Sequence, residues 1–237
     1  MNKTSQQLGV SRRNLLKFGA VALGTSVVAS QVGSQLIAPE PAVAQNDMSP
    51  DEALQRLMDG NQRFIGGKPI NPNRSLARLR QVAQTQKPFA ALLTCADSRI
   101  PAEILFDQGF GDLFMCRVAG NVVTPEEMGS LEFGTLVLGA KLLMVMGHKK
   151  CGAVDATIKG AQVPGQIGSL LDAIKPALQI SRSLDKDRLE STTKANVLVQ
   201  VENLKKSSVI SQLIKENKLK VVGGYFDFDT GVVSMVS

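Results

Sequence analysis

Four short apolar runs separated by stretches with helical periodicity, and a last apolar run behind an Asp229-Thr230-Gly231 turn, predict an α/β fold. The expected architecture is a mostly parallel sheet flanked by helices, with an antiparallel strand at its C-terminal edge. With 237 residues and 43% hydrophobic content the chain has room for one sizeable domain of this kind. No internal repeat argues for a second.

Residues 1–44 read differently from the rest. Ser11-Arg12-Arg13-Asn14-Leu15-Leu16-Lys17 precedes an apolar stretch over residues 18–29, and Ala42-Val43-Ala44 supplies small residues for cleavage. This is the pattern of a twin-arginine signal peptide, leaving residues 45–237 as the mature domain. Export to a periplasm or another extracytoplasmic lumen is the expectation. Gly19, Gly24, Thr25 and Ser26 dilute the apolar stretch, whereas a membrane span needs roughly 20 predominantly apolar residues, so no permanent membrane anchor is expected. Cleavage removes four cations and one acid, taking the formal charge from +6 to +3. The remaining lysine pairs, Lys149-Lys150 and Lys205-Lys206, lack interleaved aromatics and read as solvated faces, so nucleic acid is not expected as a partner.

In the mature chain, Ser49-Pro50-Asp51-Glu52 opens a helix with an N-cap, an early proline and two early acids, and Gly66-Gly67 closes it. A second helix is predicted over residues 75–85. Strands follow over residues 89–94, 112–118, 141–146 and 220–224, alternating with helical stretches such as 125–138 and 192–215. Residues 232–236 form the last strand, antiparallel and at an edge. The alternation is Rossmann-like. Gly109, Gly111 and Gly120 belong to no phosphate-binding pattern, because no Gly-x-Gly-x-x-Gly opens a helix after a strand, and they are assigned to turns.

The chemistry-bearing residues are concentrated. Cys95-Ala96-Asp97-Ser98-Arg99 follows one predicted buried strand, and His148-Lys149-Lys150-Cys151 follows another, so both groups fall on one rim of the sheet. His148 is the only histidine in the chain. Two cysteines and one histidine suit Zn²⁺, and three protein ligands leave a coordination position open, which is the ligand count of a catalytic site. The third cysteine, Cys116, lies in an apolar run and reads as a buried, inert thiol. Twin-arginine export carries folded proteins, so zinc bound before export would shield the two thiolates from oxidation.

Cys95-Ala96-Asp97-Ser98-Arg99 together with Gly147-His148-Lys149-Lys150-Cys151-Gly152-Ala153 resembles the β-class carbonic anhydrases. The likeness extends to Phe106 through Phe114, to Arg117-Val118-Ala119-Gly120-Asn121 and to Val221 through Asp227, covering about residues 49–237. It implies reversible hydration of carbon dioxide to bicarbonate at a zinc ion held by Cys95, His148 and Cys151. It also implies an Asp97–Arg99 ion pair in which Asp97 orients the attacking hydroxide, with Asp97 itself on the metal only in a closed state. Gln86 matches a glutamine that donates its amide to substrate, and Phe114 an aromatic lining the carbon dioxide pocket, although a core role fits Phe114 as well. Helices near the N-terminus of the mature chain are expected to reach over a partner, giving a homodimer or higher homo-oligomer.

Ala96 stands where many relatives have serine and Val118 where some have asparagine, and neither is a ligand position. The absence of tryptophan removes the residue that builds a regulatory bicarbonate pocket in one branch of the family, so an open site is expected. Rival readings of the same residues are hydrolysis of carbon disulfide or carbonyl sulfide, and a catalytically silent zinc protein kept for binding.

Overall fold

A computed structural model describes residues 47–181 and 187–237. The twin-arginine segment, the Ala42-Val43-Ala44 cleavage site and the boundary at residue 45 lie outside them. Helix α1 (Pro50–Ile65) begins as its sequence dictates, with a reciprocal capping box between Ser49 and Glu52 and Pro50 in its first turn. Ser75 likewise caps α2 (Leu76–Val82), accepting from the Arg78 amide at 3.1 Å.

The sheet comprises β1 (Ala90–Thr94), β2 (Leu113–Arg117), β3 (Leu142–His148), β4 (Lys220–Phe226) and β5 (Val233–Val236) in the order β2-β1-β3-β4-β5. Every pairing is parallel except β4 with β5. β1 and β3 occupy interior positions and are buried at every residue, which is why they read as unbroken apolar runs rather than alternating ones. Successive side chains nonetheless divide between two cores. Ala90, Leu92, Leu142, Met144 and Met146 pack with Ala53 and Leu57 of α1 on one face. Ala91, Leu93, Leu143 and Val145 pack on the other face with Val197, Val201 and Leu204 of the long helix spanning Arg188–Lys205.

Between the strands lie α3 (Ala102–Leu105), α4 (Pro125–Glu132), α5 (Gly152–Ile158), α6 (Ile167–Ile180), α7 (Arg188–Lys205) and α8 (Ser208–Lys215). Two predicted helical stretches are each divided. Residues 125–138 comprise α4 and then a π-helical turn, Phe133–Val137, in which Thr135 Oγ1 donates to the Leu131 carbonyl at 2.8 Å. The stretch over residues 192–215 breaks where Ser207 leaves helical geometry and caps α8, its hydroxyl accepting from the Ile210 amide at 3.2 Å. α3 and α6 were not among the expected elements. Among the described residues, no helix is long and apolar enough to cross a membrane.

Candidate metal centre

Parallel pairing of β1 with β3 sets Thr94 beside Met146, so the residues that follow reach the same rim. Cys95 is the first residue beyond β1, while His148 is the last residue of β3 rather than lying past its end. Lys150 then takes a left-handed conformation, φ +55°, which turns the chain back within three residues and leaves Cys151 as the N-cap of α5. The Sγ atoms of Cys95 and Cys151 and a ring nitrogen of His148 lie within 4.8 Å of one another, and all three residues are buried.

The histidine is oriented from behind. Its Nδ1 lies 2.9 Å from the Lys149 carbonyl, and because a carbonyl only accepts, Nδ1 carries a proton and Nε2 is the nitrogen whose lone pair the neutral ring would present to the thiols. That Nε2 atom is buried, makes no hydrogen bond of normal geometry among the described residues, and has the Cys95 sulfur as its neighbour. A thiol is only a weak donor and satisfies a buried nitrogen lone pair poorly, whereas two sulfurs and an imidazole nitrogen converging within 4.8 Å fit a soft metal ion. The thiols agree. Their mutual hydrogen bond is the largest influence on both, lowering the pKa of Cys95 and raising that of Cys151. One proton shared by two buried sulfurs is the arrangement a divalent cation replaces.

Gly120 completes this shell. Its amide donates to Cys95 Sγ at 3.3 Å from a left-handed backbone, φ +77°, and an added Cβ would sit 2.6 Å from Ile174 Cδ1. Arg117, at the end of β2, donates to the carbonyls of Cys95 at 3.2 Å and Asp97 at 2.5 Å, bracing the segment that carries both residues. Neither contribution was foreseen, although both residues stand in one of the matched segments.

Asp97 and Arg99 form a bidentate pair: Nε to Oδ1 at 2.9 Å and Nη2 to Oδ2 at 2.7 Å, with the Arg99 amide adding a 2.9 Å bond to Oδ1. Chiefly through that arginine the Asp97 pKa is lowered to about 2. Asp97 Oδ2 lies 3.9 Å from His148 Nε2, so an ionised carboxylate borders the ligand cluster.

Other expected site residues are placed elsewhere in the chain. Gln86 precedes the N-terminal end of β1, opposite Cys95, and lines a surface cavity with Leu79, Val82 and Val137. Phe114 sits on the other face of the sheet from Cys95, near Phe133 and so close to Gly134 that a Cβ there would be 2.7 Å away. Cys116 is half-buried on the edge strand rather than fully enclosed, and burial raises its pKa. Lys149, read from sequence as solvated, is instead ion-paired to Asp227 at 3.3 Å and Asp229 at 2.7 Å.

Comparison with known proteins agrees with this geometry. The carbonic anhydrase family model matches residues 90–233. A carbonic anhydrase of Mycolicibacterium smegmatis is 34% identical over 194 residues, covering 80% of this chain and 94% of the relative. Carbonic anhydrase 2 of Mycobacterium tuberculosis is 36% identical over 188 residues, covering 77% and 91%. Among solved structures, a β-carbonic anhydrase of Aspergillus fumigatus superposes with a TM-score of 0.63 at 25% identity, covering 79% of this chain and 90% of that one. One of two β-carbonic anhydrases from Sordaria macrospora described as tetrameric shares the fold, with a TM-score of 0.63 at 22% identity, covering 78% and 96%. With its Cys95, His148 and Cys151 cluster at the rim of a five-stranded sheet, and with these matches running from β1 to the start of β5, the chain belongs to the carbonic anhydrase family and has the β-class fold.

Proposed function

We propose that this protein catalyses the reversible hydration of carbon dioxide to bicarbonate and a proton, using a zinc ion held by Cys95, His148 and Cys151. The observation that carries the reading is the Nε2 of His148, buried with two thiols and bordered by an ionised Asp97. Bound zinc supplies hydroxide at neutral pH by lowering the pKa of water to about 7, a magnitude established for three-histidine carbonic anhydrases rather than for this donor set.

The protein's own groups set direction and order. Asp97, held ionised by Arg99, can only accept a hydrogen bond, so it selects a nucleophile that still carries a proton and aims the oxygen lone pair at the substrate. The Lys149 carbonyl keeps the proton on Nδ1 of His148 and so leaves Nε2 free for the ion. Gln86 and Phe114 are too far around the sheet to serve the ligand cluster of their own chain, and we assign their substrate contacts to a second copy. The tetrameric description of the Sordaria proteins is consistent with an oligomer. The Ser11-Arg12-Arg13 segment and Ala42-Val43-Ala44 support export by the twin-arginine route to a periplasm or similar lumen.

The test is stopped-flow hydration on zinc-loaded residues 45–237 with metal analysis of the same sample. Carbon dioxide hydration proportional to zinc content is the expected result. Turnover of carbon disulfide or carbonyl sulfide without carbon dioxide would overturn the substrate, and full zinc occupancy with no turnover of any of them would overturn the enzymatic reading.

A further inference from the structure

The Asp97–Arg99 pair has a third member. The guanidinium carbon of Arg99 stands 4.4 Å from the ring centroid of Phe228, and the Arg99 side chain is otherwise half exposed, at 52%. The same ring meets His148 edge-on at 5.5 Å and 70°, and Phe226 at 5.2 Å and 84°. Phe228 therefore packs T-shaped against a metal-ligand candidate and offers a face to the carboxylate's partner. A long side chain on a solvent-facing rim loses several rotamers when it holds a planar pair, and a fixed aromatic face limits that freedom.

The ring is itself held in place. Phe228 lies in the turn between β4 and β5, where Asp227 N–H donates to the Val232 carbonyl at 3.0 Å and Gly231 N–H to the Asp227 carbonyl at 2.8 Å. The Asp229 amide donates to Asp227 Oδ1 at 2.7 Å. Lys149 clamps both acids from across the site, and its own amide donates to the Phe226 carbonyl at 2.8 Å. The residue whose carbonyl fixes the His148 tautomer thus also fixes the turn that carries Phe228.

We infer that Phe228 is a positioning residue: its ring holds the Arg99 guanidinium on Asp97, and through that pair keeps the carboxylate off the metal and aimed at the nucleophile. The inference rests on the carbonic anhydrase reading of the site. Without the ring, Arg99 swings away and Asp97 Oδ2, already 3.9 Å from His148 Nε2, is released toward the ion.

A double-mutant cycle tests it, with Phe228→Leu, Phe228→Met and Arg99→Ala prepared singly and in combination as zinc and cobalt proteins. Replacing Phe228 by either aliphatic residue should lower kcat/KM about two- to fivefold in the native background, the range a half-exposed cation–π contact supports. In the Arg99→Ala background the same replacement should cost nothing further, and Phe228→Tyr should restore the native value. The cobalt absorption spectrum of the aliphatic variants should move toward that of Arg99→Ala as a carboxylate oxygen joins the metal. Equal losses in both backgrounds, or cobalt spectra unchanged from the native protein, would overturn the inference. Because the spectra need no turnover, they decide it even if carbon dioxide proves not to be the substrate.

Discussion

Two aspartates in this protein are each gripped by an arginine and by backbone amides, yet they serve opposite ends. Asp107 is wholly buried and held from separate segments: Arg63 Nε donates at 2.7 Å, the amides of Ile70 and Asn71 at 3.0 and 2.9 Å, and Arg74 stands at 3.8 Å. Burial alone would raise its pKa, but those donors outweigh it and the net shift is downward. Asp97 is partly exposed at the rim, takes its donors from Arg99 alone, and keeps an oxygen directed to the ligand cluster. Each accepts three hydrogen bonds, so placement is what differs: a carboxylate enclosed by donors from separate segments welds loops together, whereas one held at a rim by a single residue keeps a lone pair that can act on something outside the protein.

The sharpest way to break this division is to strike the ligands. Cys151→Ser or His148→Ala should remove nearly all bound zinc and all hydration activity while leaving the far-ultraviolet circular dichroism spectrum native, because each deletes one of three candidate ligands at a rim. Full zinc occupancy with native rates in either variant would sink the ligand assignment.

Next in size is Asp107→Asn, which leaves Arg63 facing a neutral amide at a buried site and should cost about 3 kcal/mol in denaturant unfolding. Its pH signature has a definite sign. A carboxylate whose pKa is lowered on folding contributes stability that is complete above the unfolded value, about 4, and is lost as pH falls through the folded value. The native protein should therefore lose stability more steeply than Asp107→Asn below about pH 4. Parallel curves there would show that Asp107 is not the group being read.

Asp97→Asn should invert the pattern, lowering kcat/KM by roughly 100-fold, the scale of losing one oriented hydrogen-bonding group, while costing less unfolding free energy than Asp107→Asn because its arginine partner is half exposed and screened by solvent. A loss of stability as large as that of Asp107→Asn would erase the distinction between the two aspartates. The smallest effect concerns proton release. The single histidine is committed to the ligand cluster and cannot shuttle protons, so kcat should rise several-fold with external buffer while kcat/KM stays level. A kcat independent of buffer concentration would point to a proton path within the protein.

What was legible in the sequence follows from how local each signal is. The α1 capping box lies within four residues, and the apolar runs of β1 and β3 mark strands buried on both faces; each was readable without any tertiary contact. The helical stretch that divides at Ser207 was misread because serine in mid-helix and serine as an N-cap look alike until Ile210 N–H is seen to turn toward it. Lys149 was misread for a similar reason. A lysine beside another lysine is ordinarily solvated, and its acceptors, Asp227 and Asp229, lie about eighty positions further along the chain.

The donor set is written in residue identity and short spacing: two cysteines, one histidine and a neighbouring aspartate–arginine pair. Which ring nitrogen faces the two thiols depends on the fold, because the proton on His148 Nδ1 is fixed by a carbonyl whose direction depends on the turn through Lys150. The fold alone decided that Gln86 and Phe114 stand away from the cluster in the same chain, since that follows from strand direction and face, which parallel pairing sets. It alone brought Phe228 onto Arg99, because a contact spanning most of the domain leaves no local pattern and arises only when β3 and β4 align side by side.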